Sequence, residues 1–244
     1  VLVFKKGDMS MKKCDFASLV FVCVGLSMLC SGVSHIVAAE PEFTGDFETG
    51  DLRGWTIVEG TAWDFQPTFG DNPTARARGM PSQHEGDWWI GGYEMYQGPE
   101  IGKEKNQIPG MIQGDAPQGI LESIPFKIIG EQISFMIEGG NHPWVEGGVG
   151  STCVNLEIDG KMVRTATGRD TETFRTEKWD VSDLKGEKAV IRLYDMNSGG
   201  WGHINFDNVY QVDANGDKIP WERVTAVEPA GKLSTAWGTI KQGY

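Results

Sequence analysis

Apolar and polar positions alternate most cleanly between residues 126 and 212. Val154, Leu156 and Ile158 recur at every second position of a run starting at Thr152. That is the period of a strand with one buried face. Ile133-Ser134-Phe135-Met136-Ile137 reads as strand material ahead of a Gly139-Gly140 break, and Ile128-Ile129 as a shorter piece before it. Asp159-Gly160 predicts a two-residue hairpin turn, because both central positions of that turn favour a positive φ. Residues 162–167 supply the return strand. Residues 189–194 and 204–212 close the sheet, with a short connection beginning at Trp179. Residues 43–57 read as an opening strand, a turn at Gly50-Asp51 and Gly54, and a second strand. The stretch 59–118 has little periodicity and is long for a plain loop. It predicts short strands near Trp88-Trp89-Ile90 and Gly119-Ile120-Leu121 with functional loops between them. A helical pattern is confined to residues 233–240. The pattern predicts an all-β chain, an antiparallel β-sandwich.

The first residues stand apart from this pattern. Lys12 and Lys13 precede an apolar run, and Val37-Ala38-Ala39 offers small residues ahead of Glu40, the three-part layout of a secretory signal peptide over residues 1–39. Met9 and Met11 are candidate starts. The expected location is secreted or periplasmic, with no membrane span in the mature chain. Removing residues 1–39 takes four lysines and two aspartates and moves the formal charge from −12 to −14. Such a field disfavours nucleic acid and anionic membranes. Cys14, Cys23 and Cys30 leave with the leader, so Cys153 is the remaining thiol, and its place in an alternating run suits a buried, inert side chain. Residues 40–212 are read as one β-domain and 213–244 as an extension.

Several ordered motifs carry a resemblance. They are Asp46-Phe47-Glu48-x-Gly50-Asp51 with Trp55, Gly139-Gly140-Asn141-His142-Pro143, and Thr152-Cys153-Val154-Asn155-Leu156 leading to Asp159-Gly160. Val163-Arg164-Thr165-Ala166-Thr167-Gly168, Trp179-Asp180-Val181 and the segment 199–209 complete the set. The chain resembles the non-catalytic β-sandwich module found beside the catalytic domains of fructan hydrolases (levanase and inulinase relatives) and in secreted bacterial proteins. The resemblance implies a galactose-binding-like jelly roll. The loop 141–151, with Trp144 and Glu146, is longer than the resemblance leads one to expect.

Gly199-Gly200-Trp201-Gly202-His203-Ile204-Asn205-Phe206-Asp207 places polar side chains where a flexible segment enters a strand. Together with His142, Arg164 and Asp195, the residues Trp201, His203 and Asn205 form the expected ligand-binding set. Arg and Asp offer paired donors and acceptors to vicinal hydroxyls, His and Asn add direction, and Trp offers a face to ring C–H groups. The structural alternative is an Arg164–Asp195 ion pair with His203 satisfying buried backbone. In a second aromatic group, Trp88, Trp89, Tyr93 and Tyr96, only one of the neighbours Trp88 and Trp89 can face a ligand; Arg76 and Arg78 point the same way if extended, toward an acidic or polyhydroxyl ligand or into ion pairs with Asp or Glu. The resemblance further implies that first and last strands lie together, so Asp46, Glu48 and Asp207 are the expected ligands of a structural Ca²⁺. Asp213-Ala214-Asn215-Gly216-Asp217 lacks an acid at the twelfth loop position and reads as a turn.

These readings describe a non-catalytic module that binds carbohydrate, fructan-like or another polysaccharide, with no catalytic residues. Two rivals stay open. One is a glycoside hydrolase or lyase, with Asp195 and Asp207 the pair to nominate and no apolar surroundings in the sequence to raise either pKa. The other is an envelope scaffold or protein-interaction module.

Overall fold

Val154, Leu156, Ile191, Leu193, Ile204 and Phe206 are sealed from solvent, and they belong to one cluster with Phe135, Ile137, Trp63 and Trp55. These are the inward positions of two antiparallel sheets. The computed structural model describes residues 43–223; the expected signal peptide, the helix at 233–240 and the end of the 213–244 extension lie outside the described residues.

One sheet has seven strands: β1 (Trp55–Gly60), β4 (Gly119–Ser123), β5 (Phe126–Lys127), β7 (Thr152–Ile158), β8 (Lys161–Thr167), β10 (Lys188–Asp195) and β13 (Glu222–Arg223). The other has six: β2 (Thr68–Phe69), β3 (Trp88–Gly91), β6 (Gln132–Gly139), β9 (Thr171–Asp180), β11 (Ile204–Val212) and β12 (Lys218–Ile219). β10 lies between β4 and β7, with β1 and β8 beyond them, and β11 lies between β3 and β6. The expected antiparallel β-sandwich is therefore what forms. From β5 onward the chain repeatedly crosses from one sheet to the other. Pairing continues past Val212, since β12 adds to β11 and β13 to β5.

Several local expectations hold. Asp159 and Gly160 take φ of 50° and 72°, joining β7 to β8. The 213–217 segment is a turn, in which Asp213 accepts the Asn215 and Asp217 amides. Others need correction. Residues 43–48 form no strand: Phe47 sits at φ 57° and Gly50 bonds back to the Phe47 carbonyl, which breaks the extended run. The segment still docks on β11, where the Val209 amide donates to the Gly45 carbonyl. The bulge that frees this amide follows Asp207, with Asn208 at φ 48°. Strand material expected at Ile128-Ile129 falls instead at β5. β9 begins well before Trp179, and a short helix α1 (Gly98–Glu104) occupies part of the aperiodic stretch.

Outside β2 and β3, which join the six-stranded sheet, segments of residues 61–118 cover its outer face. Because Ile204 and Phe206 face the core, Asn205 and Asp207 point outward, yet both are fully buried beneath them. Trp89 is buried there against His84 and Phe174, whereas Trp88 stays half-buried beside Phe69. Cys153 is sealed, and burial pushes its thiol up to about 12. A thiol-reactive dye is expected to leave Cys153 unlabelled in the folded protein at pH 8 and to label it in denaturant, as read by peptide mass; rapid native labelling of Cys153 would contradict this burial.

Candidate functional site

The outer face of β9 and β11 carries Glu172 and Asn205, and the end of β10 carries Asp195. Loops 71–118 and 199–203 close over them. Four of the six expected ligand-binding residues, Asp195, Trp201, His203 and Asn205, meet here. His203 is wholly buried between two carboxylates: Nδ1 lies 2.6 Å from Asp115 Oδ1 and Nε2 lies 3.5 Å from Glu172 Oε2. Burial alone would lower its pKa, but the two carboxylates outweigh burial and hold it at about 9. Burial would likewise raise Glu172, yet His203, the Asn205 amide (Nδ2 donating at 3.0 Å) and Arg76 hold it at about 2. The pair is thus an imidazolium beside a carboxylate.

Two arginines complete the network. Arg76 is fully buried and pairs with Asp71 and Glu94 while donating to the Met80 carbonyl. Arg78 Nη1 donates to Glu172 Oε1 at 2.9 Å, and its Nη2 lies 3.9 Å from Asp115 Oδ2. Its guanidinium carbon sits 3.7 Å from the centroid of Trp201 and 5.2 Å from that of Tyr93. Burial raises Glu94 to about 7 against the pull of Arg76. Asp195 is buried with both oxygens short of a full hydrogen bond, and burial lifts it well above the carboxylate range, with His203 pulling the other way. Asn205 Oδ1 also lacks a partner.

This core is closed, and its mouth is not. Arg78 and Asp115 retain 23% and 18% of their side-chain surface, and Trp201 and Tyr93 are half-exposed. The rim is tightly fitted. A Cβ on Gly140 would stand 1.8 Å from the Trp201 carbonyl oxygen, so only glycine lets the 139–142 turn meet the 199–202 loop. His142 reaches across the same junction, with Nε2 3.2 Å from the Gly200 carbonyl.

Arg164 is not part of this cluster. On β8 it donates to the Asp180 carbonyl at 2.9 Å and pairs with Asp183, so the alternative Arg164–Asp195 ion pair is also absent. Glu94, Asp115 and Glu172 take part unforeseen, and Arg78 and Tyr93 join from outside the expected ligand-binding set. The one available signal was the Arg76–Arg78 spacing.

The acids expected to hold Ca²⁺ lie elsewhere, where the 43–50 segment meets β11. Glu48 accepts the Asp87 and Trp88 amides at 3.0 Å each. Asp207 accepts the Glu85 amide at 3.0 Å and the Asn208 amide at 2.7 Å, and burial raises it to about 8. Asp46 accepts the Glu48 amide. The donors are hard oxygens, as Ca²⁺ requires, and main-chain N–H groups take up part of their lone pairs. Among the described residues no group of three or more His, Cys, Asp or Glu side chains is arranged to hold a metal ion. Asp195 and Asp207 do not act as one pair, since they belong to different clusters. Contrary to the sequence reading, each is raised by burial.

No protein-family model matches the chain. A stretch of 98 residues, 40% of the chain, is 41% identical to a protein of Aspergillus rugulosus named "Putative glycosyl hydrolase ecdE". The match spans 13% of that protein's length. No helix among the described residues is long and apolar enough to cross a membrane.

Proposed function

We propose that this sandwich is an exported carbohydrate-binding module and that its non-catalytic recognition site is the mouth around Arg78. One observation carries the reading. Arg78 is held between two aromatic rings and two carboxylates with 23% of its side-chain surface still open to solvent. Such a group presents fixed N–H donors beside the Asp115 acceptors and the Trp201 face, the combination a sugar ring needs. Its orientation is set in advance by the buried His203–Glu172 pair, so little ordering cost remains at binding. The partial match to a protein named for glycosyl hydrolysis supports a saccharide partner, and fructans head the list of probes. In affinity electrophoresis through levan and inulin, Trp201→Ala and Arg78→Gln are expected to lose retention. Arg164→Ala, with its ion pair on β8, retains it. Unchanged retention by both mouth variants would remove the site.

A hydrolase reading has one observation of its own: Asp195 is pushed up and Glu172 down, the separation that assigns acid and base. Both carboxylates are sealed from substrate, which favours binding over cleavage. Release of new reducing ends that is lost in Asp195→Asn would reverse this preference.

The proposal extends to one Ca²⁺ near Glu48 and Asp207. It is supported by the lack of a cationic partner: among the described residues no Lys or Arg forms a salt bridge with Asp46, Glu48 or Glu85, and Glu48 and Glu85 add to the burial that raises Asp207. Dialysis against a chelator is then expected to lower Tm, and added Ca²⁺ to restore it, by mass action on the folded state. An unchanged Tm would remove the ion.

A further inference from the structure

The loop between β6 and β7 builds a second feature, on the outer face of the seven-stranded sheet. It carries Trp144 over Tyr194, with ring centroids 4.7 Å apart and planes inclined by 59°. Gly148, at φ 79°, lets the loop close down, since a Cβ there would stand 2.9 Å from the Tyr194 ring. The loop is anchored at both ends. Val145 N donates to Ser151 Oγ at 3.0 Å, Gly150 N donates to the Met196 carbonyl at 3.0 Å, and Asn197 Nδ2 donates back to the Gly150 carbonyl at 3.1 Å. A loop tied in this way holds its indole in place before anything binds.

Beneath it opens a groove of about 630 Å³, in the range of small-ligand sites. Its floor is polar and ordered. Tyr194 Oη donates to Glu157 Oε1 at 2.8 Å, Arg192 Nη1 lies 3.1 Å from Glu157 Oε2, and Arg192 also pairs with Glu122. Burial pushes the Tyr194 hydroxyl up to about 12, so it stays a donor throughout the neutral range. One wall is Trp144 with Glu146 and Gly147, and the other is the β7–β8 turn with Lys161 and Met162. On the same face of β7 as Glu157, Asn155 is wholly buried and its Nδ2 has no hydrogen-bond partner.

The chemistry narrows the ligand. Glu146 and Glu157 face Lys161 and Arg192, and Arg192 is shared with Glu122 as well, which leaves an excess of one negative charge and no field to draw an anion. A wholly apolar ligand would strip water from the Glu157–Arg192 floor and return no hydrogen bond to it. A ligand with one C–H face for Trp144 and hydroxyls for the floor satisfies both demands. We infer that this groove is a second saccharide subsite, holding a neutral oligosaccharide segment between Trp144 and the β7–β8 turn.

The inference rests on the carbohydrate reading above, and the two can fail separately. Levan- and inulin-type fructo-oligosaccharides of four to six units, cellohexaose and maltohexaose serve as neutral probes in titration calorimetry. Trp144→Ala is expected to weaken binding of the selected probe at least tenfold, with Tm within about 2 °C of wild type because only the half-buried Trp144 ring is removed. Trp144→Phe is expected to restore most of it, separating loss of an aromatic face from disorder of the loop. The Trp144 indole N–H resonance, assigned by its absence from Trp144→Phe, is expected to shift with probe. Wild-type affinity in Trp144→Ala, with loss confined to Trp201→Ala, would overturn the groove and leave the module's function standing. A correctly folded wild type that binds none of the probes would overturn both.

Discussion

Glu172→Ala is expected to cost the fold about 3–5 kcal/mol, the usual penalty for removing one partner from a buried ionic cluster. The reason is the number of cationic groups that depend on it. Arg76 and His203 are sealed, Arg78 is partly open to solvent, and all three have Glu172 within 3.9 Å. Removing the carboxylate leaves like charges facing one another across a dry gap, with the Asn205 amide unpaired. For a domain of this size that corresponds to a fall in Tm of roughly 10 °C. Equilibrium denaturation at pH 6 measures it, with Glu172→Gln as the milder comparison that keeps an acceptor for Asn205. A Tm within 2 °C of wild type in Glu172→Ala would mean that water or rearranged side chains already share this charge.

The second large effect is on stability against pH. His203 has a folded pKa of about 9, above its ordinary 6.5. Its contribution is therefore fully present below pH 6.5 and is lost as pH rises through 9, a loss on the order of 3 kcal/mol. Glu94, at about 7 against an ordinary 4.5, and Asp195, raised well above the usual range, change stability in the same direction, because each is favoured protonated in the fold. Glu172 opposes them at the acid end. Held at about 2 against 4.5, it stabilises above pH 4.5, and that stabilisation is lost as pH falls through 2. Unfolding free energy is thus expected to be greatest near pH 5 and to decline toward pH 9. In His203→Gln the decline between pH 6.5 and 9 is expected to be shallower than in wild type. Parallel profiles for the two proteins would show that the imidazole is not charged in the native state.

Much of the sandwich is legible in the sequence where one face of a strand is apolar and the other is not. Val154, Leu156 and Ile158 reveal β7, and Asp159-Gly160 reveals its turn, because local sterics alone fix them. β9 is hidden. Thr171–Asp180 carries Thr, Glu, Arg and Lys at most positions, since it forms one edge of the six-stranded sheet and much of it meets solvent. Residues 43–48 mislead in the opposite sense, because a positive φ at Phe47 carries no compositional mark. The site divides in the same way. Asp195, Trp201, His203 and Asn205 lie within eleven consecutive residues, and their grouping is visible. Arg78, Asp115 and Glu172 come from three distant segments, and nothing local says that they meet. Arg164 shows the converse error: its chemistry suits a sugar, but only register places it beside Asp183.

The place of β10 also constrains how the chain assembles. It separates β4 from β7, so two halves of the seven-stranded sheet have no common ladder until residues 188–195 are available. β6 and β9 likewise wait for β11 to join them to β3. A nascent chain therefore carries open strand edges through most of its synthesis, and strands in the last quarter of the polypeptide join them into two layers. Such non-local topologies fold slowly and expose sticky intermediates. Premature termination upstream of residue 188 should accordingly yield insoluble fragments rather than a smaller working module.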